Sequence, residues 1–295
     1  MQKIYGIVPP ITTPFDAQGE IIEEFLRAEV RYLIEEVGVH GLAVGGSTGE
    51  GHTLSTDELR RVVALAIEEV RGRVPVIAGI IVDSTRQAIE KGRAVSDLGV
   101  AALQVTPVHY LFKPDDDAMY RHFATLAETL GQPIIIYNVI RWCYCSPELL
   151  RRLIHEIELV IGVKQSAGDL KLLADLFLVL EGRGLIMSAV DALLYPSFCL
   201  GAHGSIAAIV TAAPQLCLQL WSAVKAGDHP LAKELHLKLL RLWNAIAGDN
   251  LPANVKTAIE FQGRPAGLPR APMPSSSDRQ RAAIREAVEW AGIGG

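Results

Sequence analysis

Nine lysines occur along the chain, and one stands apart by its surroundings. Lys91, Lys171, Lys225, Lys233, Lys238 and Lys256 fall in helical patterns, Lys3 is near the start and Lys113 is in a loop. Lys164 instead ends an apolar run, LVIGVK. Withdrawing a lysine from water favours the neutral amine, whose lone pair attacks carbonyl carbon to give a Schiff base. The same position also suits a lysine that extends its ammonium from a rim into solvent. Tyr137 closes the preceding apolar run, PIIIYN. Its phenol can pass protons to and from a carbinolamine at Lys164, or it can be a core tyrosine with a satisfied hydroxyl. The pair is more telling than either member. Upstream, GGSTGE (Gly45–Glu50) offers glycines that admit a ligand close to the backbone, and N–H groups with the Ser47 and Thr48 hydroxyls that suit a carboxylate. A plain strand-to-helix turn has the same pattern. Together these residues suit a ligand with a carbonyl for the amine and a carboxylate for the loop.

Other chemistries find little support. The eight histidines form no H-E-x-x-H, and no G-x-S-x-G is present. GGSTGE matches neither nucleotide-binding glycine motif. Cys143 and Cys145 form a C-x-C pair with no second ligand pair nearby, so a zinc site finds little support and no metal is expected. The formal net charge of -5, without a long basic run, argues against nucleic acid. The opening MQKIYGIVPPITTPF lacks the apolar core of a signal peptide, and four cysteines without a secretory signal do not suggest disulfides. Ala192 to Val224 contains no Asp, Glu, Lys or Arg, but Pro196, Gly201, Gly204 and Pro214 break it. It reads as a buried helix, a strand and a second helix, not as a membrane span. A cytoplasmic protein is expected.

The elements that must position these groups alternate regularly. Apolar runs begin at Ile4, Gly41, Val74, Ala101, Pro133, Leu159, Gly184 and Gly204. Amphipathic segments separate them, such as Ile22, Phe25, Leu26, Leu33, Ile34 and Val37 at helical spacing. Start signals are clear: Ser55 with Glu58 as a capping box, Asp83 or Ser84, the acidic run Asp115 to Asp117, and Ser146-Pro147. Eight runs without polar alternation suit a parallel sheet buried on both faces. Their span fits an α/β (β/α)8 TIM barrel better than an open doubly wound sheet. Strand signals cease near residue 225, so residues 1–225 are expected to form the barrel. Residues 226–295 are expected to form a C-terminal helical extension, with helices near 229–247, 252–262 and 278–291. Barrels of this kind carry their reactive groups at the C-terminal strand ends, where Lys164 and Tyr137 fall.

The chain resembles the dihydrodipicolinate synthase / N-acetylneuraminate lyase family over nearly its whole length. TTPF (Thr12–Phe15), GGSTGE, Thr106-Pro107 with Lys113-Pro114, Tyr137-Asn138, GVKQSAGD (Gly162–Asp169) and GAHGSI (Gly201–Ile206) carry the likeness in order. The resemblance implies a cofactor-free class I aldolase or lyase. Lys164 would condense with pyruvate or a related 2-oxo acid, Ser47 and Thr48 would hold its carboxylate, Tyr137 would shuttle protons, and the main chain at Ile206 would lie beside it. A tyrosine from a neighbouring subunit usually completes a relay with the loop threonine, here Thr48. Tyr110 is the candidate, with His109 as the alternative. The family also implies a homotetramer and an aldehyde as second substrate.

The departures concern that aldehyde. The synthase branch reads Y-N-V-P-x-R-T-G, whereas this chain reads YNVIRWCYCSPE from Tyr137. Arg141 is near the arginine that would hold a carboxylate of the second substrate, but out of register. Trp142 and Tyr144 suit an aromatic wall for a bulkier partner, or packing on the rim. Asp191 can bind a hydroxyl or cap a helix. Alternatives are 4-hydroxy-tetrahydrodipicolinate synthase, a dehydratase or deaminase of a substituted 2-oxo acid, and a silent 2-oxo acid binder.

Overall fold

The computed structural model describes residues 2–166 and 169–294. Ala167 and Gly168, within the GVKQSAGD stretch, lie outside the described residues. Eight parallel strands follow one another around the sheet: β1 (Gly6–Ile7), β2 (Leu42–Val44), β3 (Val76–Ile80), β4 (Ala102–Val105), β5 (Ile134–Asn138), β6 (Val160–Gln165), β7 (Leu185–Ser188) and β8 (Gly204–Ser205). β1 pairs with β8, and just beyond β1 a parallel bridge from Pro10 to Ala43 joins β2 and closes the ring. The expected barrel is therefore formed. Alternate strand positions face inward, and Val8, Ala43, Ile77, Ala102, Ile135 and Met187 fill the axis.

Helices cover the outside where their caps predict. Ser55 and Glu58 exchange hydrogen bonds at the start of α2 (Thr56–Val70), while α1 (Glu23–Arg31) precedes it and runs on as a π-helix through Val37. Ser84 caps α3 (Thr85–Ser96), Asp115 caps α4 (Asp116–Leu130) and Ser146 caps α5 (Pro147–Glu156), each accepting a backbone N–H. Asp169 does the same for α6 (Leu170–Val179).

The uncharged stretch after Asp191 resolves into α7 (Leu194–Cys199), β8, α8 (Ala208–Ala212) and α9 (Pro214–Ala226). One feature differs from the pattern-based expectation. The run Gly204 to Ile209 is strand only to Ser205, and a short helix takes its end, with the Asp191 carboxylate accepting the Ile209 N–H at 2.8 Å. Periodicity alone does not separate short apolar strand from buried helix.

After α9 come α10 (His229–Ile246), α11 (Leu251–Glu260) and α12 (Asp278–Ala291), close to their expected bounds. They are joined to the barrel by apolar packing around Leu235, Leu239, Val255 and Ile284 and by buried ion pairs. Lys256 Nζ lies 2.6 Å from Glu50 Oε1, and Arg264 lies 2.6 Å from Glu29. None of the described helices is long and apolar enough to cross a membrane.

Candidate active site

Lys164 and Tyr137 are direct register partners on β6 and β5, each one residue inside its strand end. Equal strand parity points both side chains inward, and both are only 3% exposed. Lys164 Nζ sits 3.9 Å from the centre of the Tyr137 ring. Among the described residues Lys164 makes no ion pair or hydrogen bond, which leaves its nitrogen open to a ligand. The Tyr137 hydroxyl donates to Ser47 Oγ at 2.9 Å. Amine, phenol and loop hydroxyl are thus joined through one side-chain chain of contacts.

The loop that supplies Ser47 and Thr48 is held tightly. Gly45 takes a left-handed φ of 74°, and Gly79 on β3 lies so close that an added Cβ would stand 2.5 Å from the Gly45 carbonyl oxygen. Thr13, from the TTPF stretch, donates to the Gly49 carbonyl at 2.7 Å. Glu50 ends the loop in a left-handed conformation, φ 55°, and is wholly buried. Its carboxylate takes Lys256 on one oxygen and the Arg270 N–H, at 2.8 Å, on the other. Lys256 is therefore a second buried lysine, assigned from its pattern to a helix face. Burial lowers its pKa while Glu50 raises it, and its ammonium is already engaged by Glu50 and by the Leu268 carbonyl at 2.7 Å.

These groups open on a cavity of about 770 Å³. Ser47, Thr48, Tyr137, Lys164, Arg141, Asp191 and Ile206 all line it. Burial pushes the Asp191 carboxyl up to about 6, against the pull of the Ile209 N–H and of Lys164. Asp191 thus supports the start of α8 while facing the cavity. Arg141 stands in a 3-10 turn (Arg141–Cys143) and is exposed at the rim.

The structure does not bring every candidate into this cavity. Tyr110 is 71% exposed and is absent from the lining. His109 is turned to the Pro107 carbonyl and to Asp83. Trp142 also lies outside the lining: its indole N–H donates to the His109 carbonyl at 2.8 Å. Tyr144 does line the wall, its hydroxyl directed at the Ser166 carbonyl. Sequence reasoning missed His52, Trp243, Asp249 and Met273, which also reach the cavity. Trp243, Asp249 and Met273 come from the C-terminal helical region, whose packing no local pattern reveals.

Known proteins resemble this chain over nearly its whole length. Residues 3–291 match the model of the dihydrodipicolinate synthetase family. A 4-hydroxy-tetrahydrodipicolinate synthase from Methanopyrus kandleri is 36% identical, over 99% of this chain and 97% of that protein. A pyruvate-complexed dihydrodipicolinate synthase from Acinetobacter baumannii superposes with a TM-score of 0.92 at 31% identity, covering 99% of this chain and 100% of the other. The Clostridium difficile protein CdNal, solved in complex with mannosamine, gives a TM-score of 0.90 at 29% identity over 98% and 99% of the two chains.

Proposed function

Since the chain belongs to the dihydrodipicolinate synthetase family, whose members are class I Schiff-base lyases, we propose that it joins a 2-oxo acid to an aldehyde, or splits their adduct, through Lys164. One observation carries this assignment: a buried lysine amine beside the Tyr137 phenol, which is itself hydrogen-bonded to the Ser47 loop.

In the synthetic direction, neutral Lys164 adds to the keto carbon and water leaves, giving an iminium. That cation withdraws the electrons released when the neighbouring methyl group loses a proton, and an enamine forms. Enamine carbon attacks the aldehyde carbon while the aldehyde oxygen takes a proton. Water then hydrolyses the iminium and releases a 4-hydroxy-2-oxo acid with free Lys164. Ser47 and Thr48 hold the carboxylate, and Tyr137 carries protons during addition and water loss. The Ile206 main chain borders the keto acid. Asp191, beside Lys164, favours the cationic iminium once ionised. The test is borohydride reduction in the presence of pyruvate, followed by peptide mass analysis. The expected adduct is on Lys164; an unmodified Lys164 peptide sinks the assignment.

A second reading has its own support. Arg141 lines the cavity despite its altered register, and a guanidinium there suits a carboxylate on the aldehyde partner. That favours 4-hydroxy-tetrahydrodipicolinate synthase, the name of the Methanopyrus relative, and turnover of pyruvate with aspartate semialdehyde tests it.

A homotetramer is part of the proposal. Tyr110, Leu111 and Phe112 are 71%, 71% and 77% exposed on one loop, a surface suited to a second copy that would also bring a Tyr110 toward a neighbouring Thr48. Light scattering in solution checks the mass. A cytoplasmic location is supported by four free thiols, three of them buried.

A further inference from the structure

The cavity has two chemically distinct parts. Hydroxyl groups, the amine and the Asp191 carboxyl cluster at the strand ends, where Ser47, Thr48, Tyr137, Lys164, Ser166 and Asp191 lie. The remaining wall comes from the turns after β5 and β7 and from the C-terminal region. There, apart from the half-buried Tyr144 hydroxyl, the buried or half-buried lining is apolar: Val139, Val190, Leu193, Trp243, Leu251 and Met273. The charged side chains of this part, Arg141 and Asp249, are exposed and of opposite sign. They mark the solvent rim. Among the described residues, the two other buried cations, Lys256 and Arg264, are already paired with carboxylates away from the lining.

A substrate carrying several hydroxyls or charges along its body would lose water in this part and gain little beyond the Tyr144 hydroxyl in return. An apolar body loses nothing there, and the half-buried Trp243 adds an aromatic side chain to the wall. Resting on the Schiff-base reading, the geometry points to an aldehyde with an apolar, preferably aromatic, body as the second substrate, with Trp243 as its main specificity determinant. The step balances without a co-reactant. The enamine carbon forms one bond to the aldehyde carbon, the C=O π pair moves to oxygen and is protonated, and water regenerates Lys164. Pyruvate plus aldehyde gives one 4-hydroxy-2-oxo acid.

The experiment has two arms on the full-length enzyme. The first traps pyruvate with borohydride; failure there removes the Schiff-base reading and this inference with it. The second measures kcat/KM with pyruvate and benzaldehyde, hexanal, glyceraldehyde or aspartate semialdehyde. Benzaldehyde and hexanal are expected to exceed the two polar aldehydes by about tenfold or more, the scale on which apolar pockets discriminate. If either polar aldehyde matches or exceeds them, or if neither apolar aldehyde reacts while pyruvate is still trapped, the inference falls and the Schiff-base reading stands. Trp243→Ala should lower kcat/KM for benzaldehyde by about tenfold, with Trp243→Phe restoring most of it. Equal values for Trp243→Ala and wild type would remove Trp243 from the role. Should Trp243→Ala not fold, Val190→Asp puts a carboxylate on the same wall and should suppress benzaldehyde relative to glyceraldehyde; an unchanged ratio counts equally against the inference.

Discussion

Replacing Lys256 with methionine tests how the carboxylate loop is held. Lys256 and Glu50 side chains are 2% and 0% exposed, and their atoms meet at 2.6 Å. Methionine fills much of the same volume but leaves the Glu50 carboxylate buried, with the Arg270 N–H as its remaining partner. Breaking a buried pair from one side costs about 3–5 kcal/mol, because the surviving charge stays out of water. At roughly 2 °C per kcal/mol for a chain of this length, the melting temperature should fall by roughly 6–10 °C. Glu50 ends the loop that carries Ser47 and Thr48, so the KM for pyruvate should rise more than kcat falls. Calorimetry and steady-state kinetics read the two effects. The double variant Glu50→Gln with Lys256→Met leaves no stranded charge and should regain much of the lost stability. A single variant that melts within about 1 °C of wild type, with an unchanged KM, would refute the reasoning.

Tyr137→Phe removes the hydroxyl that donates to Ser47 and should lower kcat by about 10²–10⁴, the usual worth of a positioned acid–base group, as stopped-flow or coupled assays can show. Ser47→Ala should mainly raise the KM for pyruvate, measured by titrating pyruvate at saturating aldehyde. Gly79→Ala drives a methyl group against the Gly45 carbonyl and should cost about 1–3 kcal/mol in denaturant unfolding while weakening pyruvate binding. Asp191 predicts a pH effect. Its carboxyl titrates near 6 when folded against 3.8 in the reference state, so its stabilising contribution is full below about 3.8 and is lost as pH rises through 6. Asp191→Asn lacks this titration, so its melting temperature relative to wild type should climb between pH 4 and pH 7; a constant difference over that range contradicts the assignment.

Legibility followed the range of the forces involved. The strands could be read because both faces of a parallel barrel are buried, which keeps charge out of each run. Caps at Ser55, Ser84, Asp115 and Ser146 could be read because an N-cap is a contact within three residues. Lys164 and Tyr137 were visible because strand ends in a barrel converge. The burial of Lys256 was hidden, since its partner Glu50 is 206 residues away and its own helix looks ordinary. Trp243 and Met273 were hidden for the same reason: their arrival at the cavity depends on how the C-terminal helices dock on the barrel. Of the two aromatic wall candidates, Tyr144 reaches the cavity and Trp142 does not, because the 3-10 turn directs the indole to the neighbouring loop.

Three ties join that turn to the loop after β4. Trp142 donates to the His109 carbonyl, the Cys143 thiol to the Val108 carbonyl at 3.0 Å, and Lys113 to the Tyr144 carbonyl at 3.3 Å. The exposed ridge Tyr110 to Phe112 and the cavity residues Arg141 and Tyr144 are therefore joined through the same hydrogen-bonded pair of loops. Under the proposed assembly through this ridge, changing these residues to retune the accepted aldehyde would also disturb the contact between copies, and a designer seeking to separate the two properties would do better to work from the Trp243 side.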